Sequence, residues 1–429
     1  MCAPDPVSYL LVTEVLKTVL APLPLASLHA MRDLVWALLR AQSLHPADLA
    51  RALPDLQTRR ARQALRRVRR SLGRAALGST ALTPLLLRAA LRLIPAAEIL
   101  LVLDSTRCRR WELFTLGLGF HGRVLPIAWA LLPYPWPKGQ FTPTVVALLD
   151  ATLAHWPVER PLHLVADRGF PSLKFFACLA RWQTQLALGA TIRLRAGDWV
   201  RRPDGAAVKV ADLEADLALD QWRVLPACYQ QRGRGGPAMT LVVGRGEPEV
   251  PRHQRGPADT ARRAARAAAR LAYLRSKRQP HAAATDRVWA LLTTAPTAGE
   301  AVAYYRQRFP TEPTYRDLKS WELEAVAGQE TSATHLDGLV GLAALGYLLQ
   351  AALGAAAGQT DDASARARQA QWSTTDRLSV FWRGRQVLHD RAHDWQPWLA
   401  TLVAPLRAQL APAAPIPLRP RATALPEAA

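Results

Sequence analysis

Apolar residues recur at intervals of three and four throughout residues 7–92, for example at Leu34, Leu38 and Leu49, and prolines separate the segments. This spacing is typical of amphipathic helices, which place one apolar face against a core. We therefore expect residues 1–92 to form a small all-helical domain.

The pattern changes at Glu98, where continuous apolar runs of strand length replace the helical spacing. One run ends at Asp104 and a second, beginning at His163, ends at Asp167, after which a helical pattern covers 172–185. Alternating strands and helices predict a mixed α/β sheet with crossover connections. In such a sheet both aspartates would lie at the carboxyl ends of strands.

Between about 195 and 285 the regular pattern lapses, which predicts an insertion with a basic helical run over 260–278. Further strands are predicted at 111–132, 185–194, 222–225, 239–243 and 288–293. Thr297 and Glu300 form a capping box that opens the next helix. The expected fold is therefore an α/β core over 93–358 interrupted by a largely β insertion. A helical C-terminal region over 359–410 and a disordered Pro/Ala-rich tail over 411–429 are expected to follow it.

The segment 338–357 is the only one long and apolar enough to suggest a membrane span. It is rich in Ala and Gly and is flanked by acids rather than basic anchors, which favours a buried core helix. The N-terminus lacks the pattern of a secretion signal. The four cysteines show no paired spacing, so neither a zinc site nor a disulfide framework is predicted. We expect a cytoplasmic protein without a membrane role.

Charge changes the picture of possible partners. The chain has 429 residues, half of them apolar, with 55 Lys and Arg against 34 Asp and Glu, a net charge of +21. Such a surplus attracts a polyanion, and nucleic acid is the first candidate. Residues 59–74 contain eight arginines and no acid, whereas a merely solvated charged face normally mixes both signs. Phosphate contacts are therefore predicted for Arg59, Arg62, Arg66, Arg69 and Arg70.

Three acids from separated segments, Asp104, Asp167 and Glu312, suggest metal chemistry. Carboxylate oxygens suit Mg²⁺ or Mn²⁺, and two such ions can clamp the attacking and leaving oxygens of a phosphoryl transfer. Each acid also has a structural alternative. An aspartate after a strand often caps the next turn, and Glu312 could stabilise a helix N-terminus.

The stretch around Glu312 carries further polar residues at fixed intervals. Pro310 and Pro313 indicate that one helix ends near Phe309 and that the next begins with Thr311 as its N-cap. On that second helix Glu312, Arg316 and Lys319 would share one face. The complete set, with its spacing, is Tyr305, two residues, Arg308, three residues, Glu312, six residues, Lys319.

This spacing resembles the YREK signature of DDE transposases encoded by bacterial insertion sequences, specifically the insertion-sequence-four family that cuts and pastes DNA. Two further motifs coincide with the family's aspartate strands, namely Leu103-Asp104-Ser105-Thr106 and Ala166-Asp167-Arg168-Gly169-Phe170. The resemblance covers roughly residues 90–350. It departs from the family at Phe309-Pro310-Thr311, where Trp and an aliphatic residue are usual, and at Tyr315, where Phe is common.

The resemblance implies an RNase H-like core in which Asp104, Asp167 and Glu312 hold two ions, Mg²⁺ or Mn²⁺. It implies that Tyr305, Arg308 and Lys319 grip phosphates near the cleaved end, with Arg316 beside them. It further implies transposon-end and target DNA as partners, a homodimer in the paired-end complex, a location with the bacterial nucleoid, and a DNA hairpin intermediate.

Trp289 matches a position where relatives stack a flipped base, and its alternative is a core tryptophan on a strand. Two other functions remain open for the whole chain. One is a DNA-binding protein that keeps the fold but no longer cuts, and the other is a host nuclease that does not recognise transposon ends.

Overall fold

The structure is a computed structural model of mixed α/β class, which confirms the predicted α/β character of the chain. It describes residues 6–54, 61–94, 96–157, 160–215, 217, 221–245, 288–330, 332–358 and 379–389. Arg59, the basic run at 260–278, most of the predicted C-terminal region 359–410 and the tail 411–429 lie outside these ranges. Two compact units are defined by their internal contacts. The first contains the described residues up to 165, 181–188 and those from 307 onward, and the second contains 166–180 and the described part of 189–306.

Helices dominate the N-terminal part of the first unit, as the spacing predicts. They are α1 (Pro6–Val19), α2 (Leu25–Ala41), α3 (Pro46–Ala52), α4 (Ala61–Leu72) and α5 (Ser79–Leu93), with a 3₁₀ turn at Ala75–Leu77. Apolar positions of α4 pack inward, since Ala64, Val68 and Leu72 are buried. The helices of this region contact one another. Helix α5 also contacts the strand Arg123–Pro133, and α2, α4 and α5 contact the long helix Ala333–Gly358. The predicted domain boundaries stay a prediction.

Four strands of the first unit are neighbours in the order β3-β2-β1-β4. They are β1 (Ile99–Cys108), β2 (Trp111–Phe120), β3 (Arg123–Pro133) and β4 (Leu162–Ala166), with α6 (Phe141–Leu153) between the last two. The first three form an antiparallel meander in which Asp104 pairs with Thr115. Strand β1 continues four residues beyond Asp104, because its second half pairs with β2. The prediction that Asp104 ends a strand was therefore wrong.

Strands of the second unit follow the order β5-β10-β9-β8-β6-β7. They are β5 (Gly189–Arg193), β6 (Trp199–Arg201), β7 (Ala207–Lys209), β8 (Gln221–Gln231), β9 (Arg234–Arg245) and β10 (Val288–Thr293), with the short helix α8 (Val210–Ala215) after β7. Strand β10 has the predicted bounds. Strands β8 and β9 are longer than predicted, because cross-strand pairing extends them through polar residues. Helix α7 (Leu173–Leu186) precedes β5, which delays the start of that strand to Gly189.

The remaining helices complete the fold. They are α9 (Ala298–Arg306), α10 (Thr311–Lys319), α11 (Leu323–Gln329), α12 (Ala333–Gly358) and α13 (Val380–His389). Thr297 caps helix α9 as predicted, since the Glu300 backbone N–H donates to Thr297 Oγ1 over 3.2 Å. The Glu300 carboxylate accepts from the Thr297 hydroxyl over 2.9 Å, whereas the capping box pairs it with the backbone N–H. Helix α12 is the one described helix long and apolar enough to cross a membrane, and 89% of its apolar window is buried. It is a core helix, as predicted.

Candidate active site

Asp104 is held by an arginine of its own chain. Its Oδ2 accepts a hydrogen bond from Arg308 Nη1 over 2.7 Å, and its Oδ1 accepts one from the Ser105 backbone N–H over 2.9 Å. The two charged side chains are only 13% and 9% exposed. A carboxylate removed from water to this extent needs a compensating charge. Arg308 therefore neutralises Asp104 in the structure.

Helix α10 is fixed to strand β3 by two polar contacts. The Val124 backbone N–H donates to Thr314 Oγ1 over 2.9 Å, and Arg123 Nε donates to Asp317 Oδ2 over 2.7 Å. Both partners on the helix are buried. Because these residues point toward the sheet, the opposite face of the helix carries its exposed side chains, Glu312, Arg316 and Lys319. The structure thus brings these three predicted residues to one face.

The entry into α10 differs from the prediction. Helix α9 ends at Arg306 rather than near Phe309, and Pro310 rather than Thr311 is the N-cap of α10. Thr311 is the first residue of the helix itself, and its hydroxyl donates to the Arg308 carbonyl oxygen over 2.7 Å. A turn of this kind lets Pro310 precede Glu312 without breaking the helix, since proline is tolerated at a helix start.

Tyr315 is a residue whose role sequence reasoning missed. Its hydroxyl and that of Thr115 are 2.6 Å apart in a buried hydrogen bond, and Thr115 is the strand partner of Asp104. Burial, followed by the negative charge of Asp104, raises the pKa of Tyr315 well above its ordinary value. The signal was present, because a tyrosine at an otherwise apolar position usually has a hydrogen-bond partner.

Asp167 follows β4 directly, as predicted, and contacts the first residue of the signature. Tyr305 donates from its hydroxyl to Asp167 Oδ1 over 2.8 Å. The Tyr305 ring is fully buried and meets the Trp289 ring edge-on, with centroids 5.2 Å apart. Both rings belong to one apolar cluster, and Trp289 is 7% exposed. This burial favours the structural alternative for Trp289 over base stacking.

Among the described residues, no group of three or more His, Cys, Asp or Glu side chains is placed to hold a metal ion. Asp104 and Asp167 instead receive hydrogen bonds from Arg308 and Tyr305. The carboxylate oxygens of the three acids are donors of the kind that Mg²⁺ and Mn²⁺ prefer.

No protein-family model fits the chain, and a comparison with curated proteins returned none similar to it.

The arginines of α4 remain available on the surface. Arg67 differs from the others, because it forms an ion pair with Asp33, a buried acid on α2. This contact anchors α4 and sets which side of the helix faces outward. The exposed positions include the predicted DNA-binding residues Arg62, Arg66, Arg69 and Arg70.

A second basic group was not predicted. Arg107, Arg109 and Arg110 lie at the end of β1 and in the turn to β2, and all three are exposed. Three arginines within four positions, between two runs of strand character, were the signal for it.

Proposed function

We propose that this chain is a DNA transposase that binds terminal inverted repeats and performs strand cleavage and strand transfer. One observation carries the proposal. Tyr305 and Arg308, recognised only by their spacing to Glu312, contact Asp167 and Asp104 across separations of 138 and 204 positions. Each of the two aspartate motifs is thus hydrogen-bonded to one residue of the spaced set around Glu312, which supports a common role.

The fold supports the same proposal. An antiparallel meander with Asp104 on its first strand, followed by a helix and a strand that leads into Asp167, is compatible with an RNase H-like core. The strands β6 to β9 precede Glu312 in the chain, as expected for a largely β insertion. The arrangement of these strands and the motifs around the acids are together our grounds for assigning catalysis to Asp104, Asp167 and Glu312.

Two Mg²⁺ or Mn²⁺ ions held by Asp104, Asp167 and Glu312 would supply an activated water and stabilise charge on the reacting phosphate. Arg308 and Tyr305 now occupy oxygens of two of these acids, so they would have to release them. A guanidinium released from a carboxylate can bind phosphate through the same planar donors. Arg308 would thereby bind the Asp104 carboxylate before DNA binds and a DNA phosphate afterwards.

The exposed arginines of α4 would contact the backbone of transposon-end DNA, and Lys319 and Arg316 would contact phosphates near the cleaved end. A homodimer would hold the two ends of the element, in the cytoplasm with the nucleoid. A hairpin intermediate belongs to the proposal through the family resemblance.

Cleavage of end DNA tests the proposal. The purified chain, incubated with Mg²⁺ and a duplex carrying its element's end, should nick that duplex, and Asp104→Asn should abolish nicking. Asp204→Asn is the matched control, because Asp204 is an exposed acid in an ion pair with Arg202. Intact DNA with the unmodified chain would refute the proposal, as would nicking by Asp104→Asn at the control's rate.

A DNA-binding protein that does not cut is the second candidate. The ion pair between Arg308 and Asp104 favours it, since a carboxylate neutralised by its own chain is less available to a metal. Tight binding of end DNA with no nicking in either Mg²⁺ or Mn²⁺ would select this function. Equal nicking of end DNA and unrelated duplexes would instead indicate a general nuclease.

A further inference from the structure

An open groove lies beside the turn that connects β1 and β2. Arg107, Arg109 and Arg110 line one side of it, and α11 lines the other through residues such as Glu324 and Gly328. Its volume is about 890 Å³. All of these residues belong to the first unit. The groove is thus a single surface built by one hairpin and one helix.

The backbone at the turn is unusual for the residue it carries. Arg109 has a φ of 58°, in the left-handed region. Two-residue hairpin turns that need positive φ normally use Gly, Asn or Asp, and another L-residue there costs about 1 kcal/mol. An arginine at this position is therefore not explained by the turn itself, which points to a use for its side chain.

Neighbouring groups hold the arginines in place. The Arg107 guanidinium carbon lies 3.6 Å from the centroid of the Tyr134 ring, and its Nε donates to the Arg109 carbonyl oxygen over 3.3 Å. The Arg109 side chain passes so close to Gly328 that a Cβ there would lie 3.0 Å from its Cγ. Prior ordering of long side chains reduces the entropy lost on binding.

The charge of the groove is mostly uncompensated. None of the three arginines forms an ion pair with an acid of the described residues, and the groove's acid, Glu324, faces Lys319 with its Oε2 3.3 Å from Nζ. A solvated charged surface would mix signs in neighbouring positions. The three arginines of the groove therefore keep their positive charge, because the groove's acid is paired with Lys319 of α10.

We infer that this groove, formed by Arg107, Arg109, Arg110 and α11, binds the phosphate backbone of duplex DNA beyond the segment held at Lys319. The inference rests on the proposed function for the identity of its partner. Arginine suits such contacts because its planar donors match phosphate oxygens.

The test compares salt dependence of duplex binding between two double variants of the full chain. Arg109→Asn with Arg110→Gln removes two groove charges, and asparagine tolerates the positive φ of the turn. The control is Arg232→Asn with Arg234→Gln, since these exposed arginines flank another hairpin turn and Arg232 has a φ of 50°. Both variants lower the net charge equally.

Loss of two phosphate contacts should reduce the slope of log K against log salt by about 1.8 in the groove variant and leave the control near the unmodified chain. Between 50 and 200 mM salt the unmodified chain would then lose about tenfold more affinity than the groove variant. Arg109→Lys with Arg110→Lys should restore most of the slope. Equal slopes for the groove variant and the control would overturn the inference. The proposed function would still stand in that case, because the unmodified chain would bind duplex DNA. No duplex binding by the unmodified chain would overturn both.

Discussion

Replacing Arg308 with methionine would leave the Asp104 carboxylate without its guanidinium while keeping an unbranched side chain of similar length. The two side chains are 9% and 13% exposed and their N–O distance is 2.7 Å. Removing one member of a buried ion pair costs about 3–5 kcal/mol. Because neither side chain is fully buried, we expect the free energy of unfolding to fall by about 3 kcal/mol.

A double-mutant cycle measures this interaction directly. Urea unfolding followed by circular dichroism would give midpoints for Arg308→Met, Asp104→Asn and the double variant. The double variant should lose less stability than the two single losses together, by about 2 kcal/mol, because a neutral asparagine no longer needs the arginine. Lys319→Met is the control, since its ion pair with Glu324 is 39% and 43% exposed and should contribute less than about 1 kcal/mol.

Two outcomes would refute the reasoning. One is an unfolding midpoint for Arg308→Met no lower than that of Lys319→Met. The other is additivity of the two single variants to within about 0.5 kcal/mol. Either would mean that Asp104 and Arg308 are neighbours without mutual stabilisation, and the contact that carries the proposed function would lose its energetic basis.

Three further predictions concern other parts of the fold. Tyr305→Phe keeps the ring in its apolar cluster but removes the donor to Asp167, so urea unfolding should show a loss of about 1–2 kcal/mol, and an unchanged midpoint would contradict the hydrogen bond. Gly338→Ala would push its Cβ against the Leu72 carbonyl oxygen and should lower the free energy of unfolding by about 1–3 kcal/mol. The control Gly299→Ala has open space around the new Cβ and should raise the free energy of unfolding by up to about 1 kcal/mol. Equal effects of the two variants in thermal unfolding would disprove the close approach at Gly338. Burial lowers the pKa of His163 to about 4 in the folded chain, so the unfolded chain binds a proton first as the pH falls below about 6.5. The free energy of unfolding should therefore drop by about 2 kcal/mol between pH 7 and pH 5 through this group. His163→Gln should remove this part of the pH dependence of the urea midpoint, and an unchanged pH dependence in that variant would contradict the prediction.

Local spacing was enough to predict most helices and several strands. Strand β10 has the predicted bounds, and the long helix α12 is buried as its Ala- and Gly-rich composition and acidic flanks indicated. The candidate acids and the spacing around Glu312 were equally visible in the sequence. These features depend on periodicity and residue type within a short window, which the chain carries regardless of its tertiary contacts.

Strand lengths were predicted less well, because pairing decides them. Asp104 stands in the middle of β1 since the residues after it, although polar, pair with β2 from Ser105 to Cys108. Pairing likewise extends β8 and β9 beyond the short apolar pieces that signalled them. No local pattern reports a hydrogen-bond partner on another strand.

By itself, the sequence determined the α/β class, the positions of most helices and several strands, the three candidate acids and the basic surplus. Only the tertiary structure decided what those acids contact. Arg308 neutralises Asp104, Tyr305 binds Asp167, and Trp289 is packed inside. The physical reason is distance along the chain: an ion pair or hydrogen bond forms wherever folding brings a donor to an acceptor, and separations of 138 and 204 positions leave no trace in local spacing.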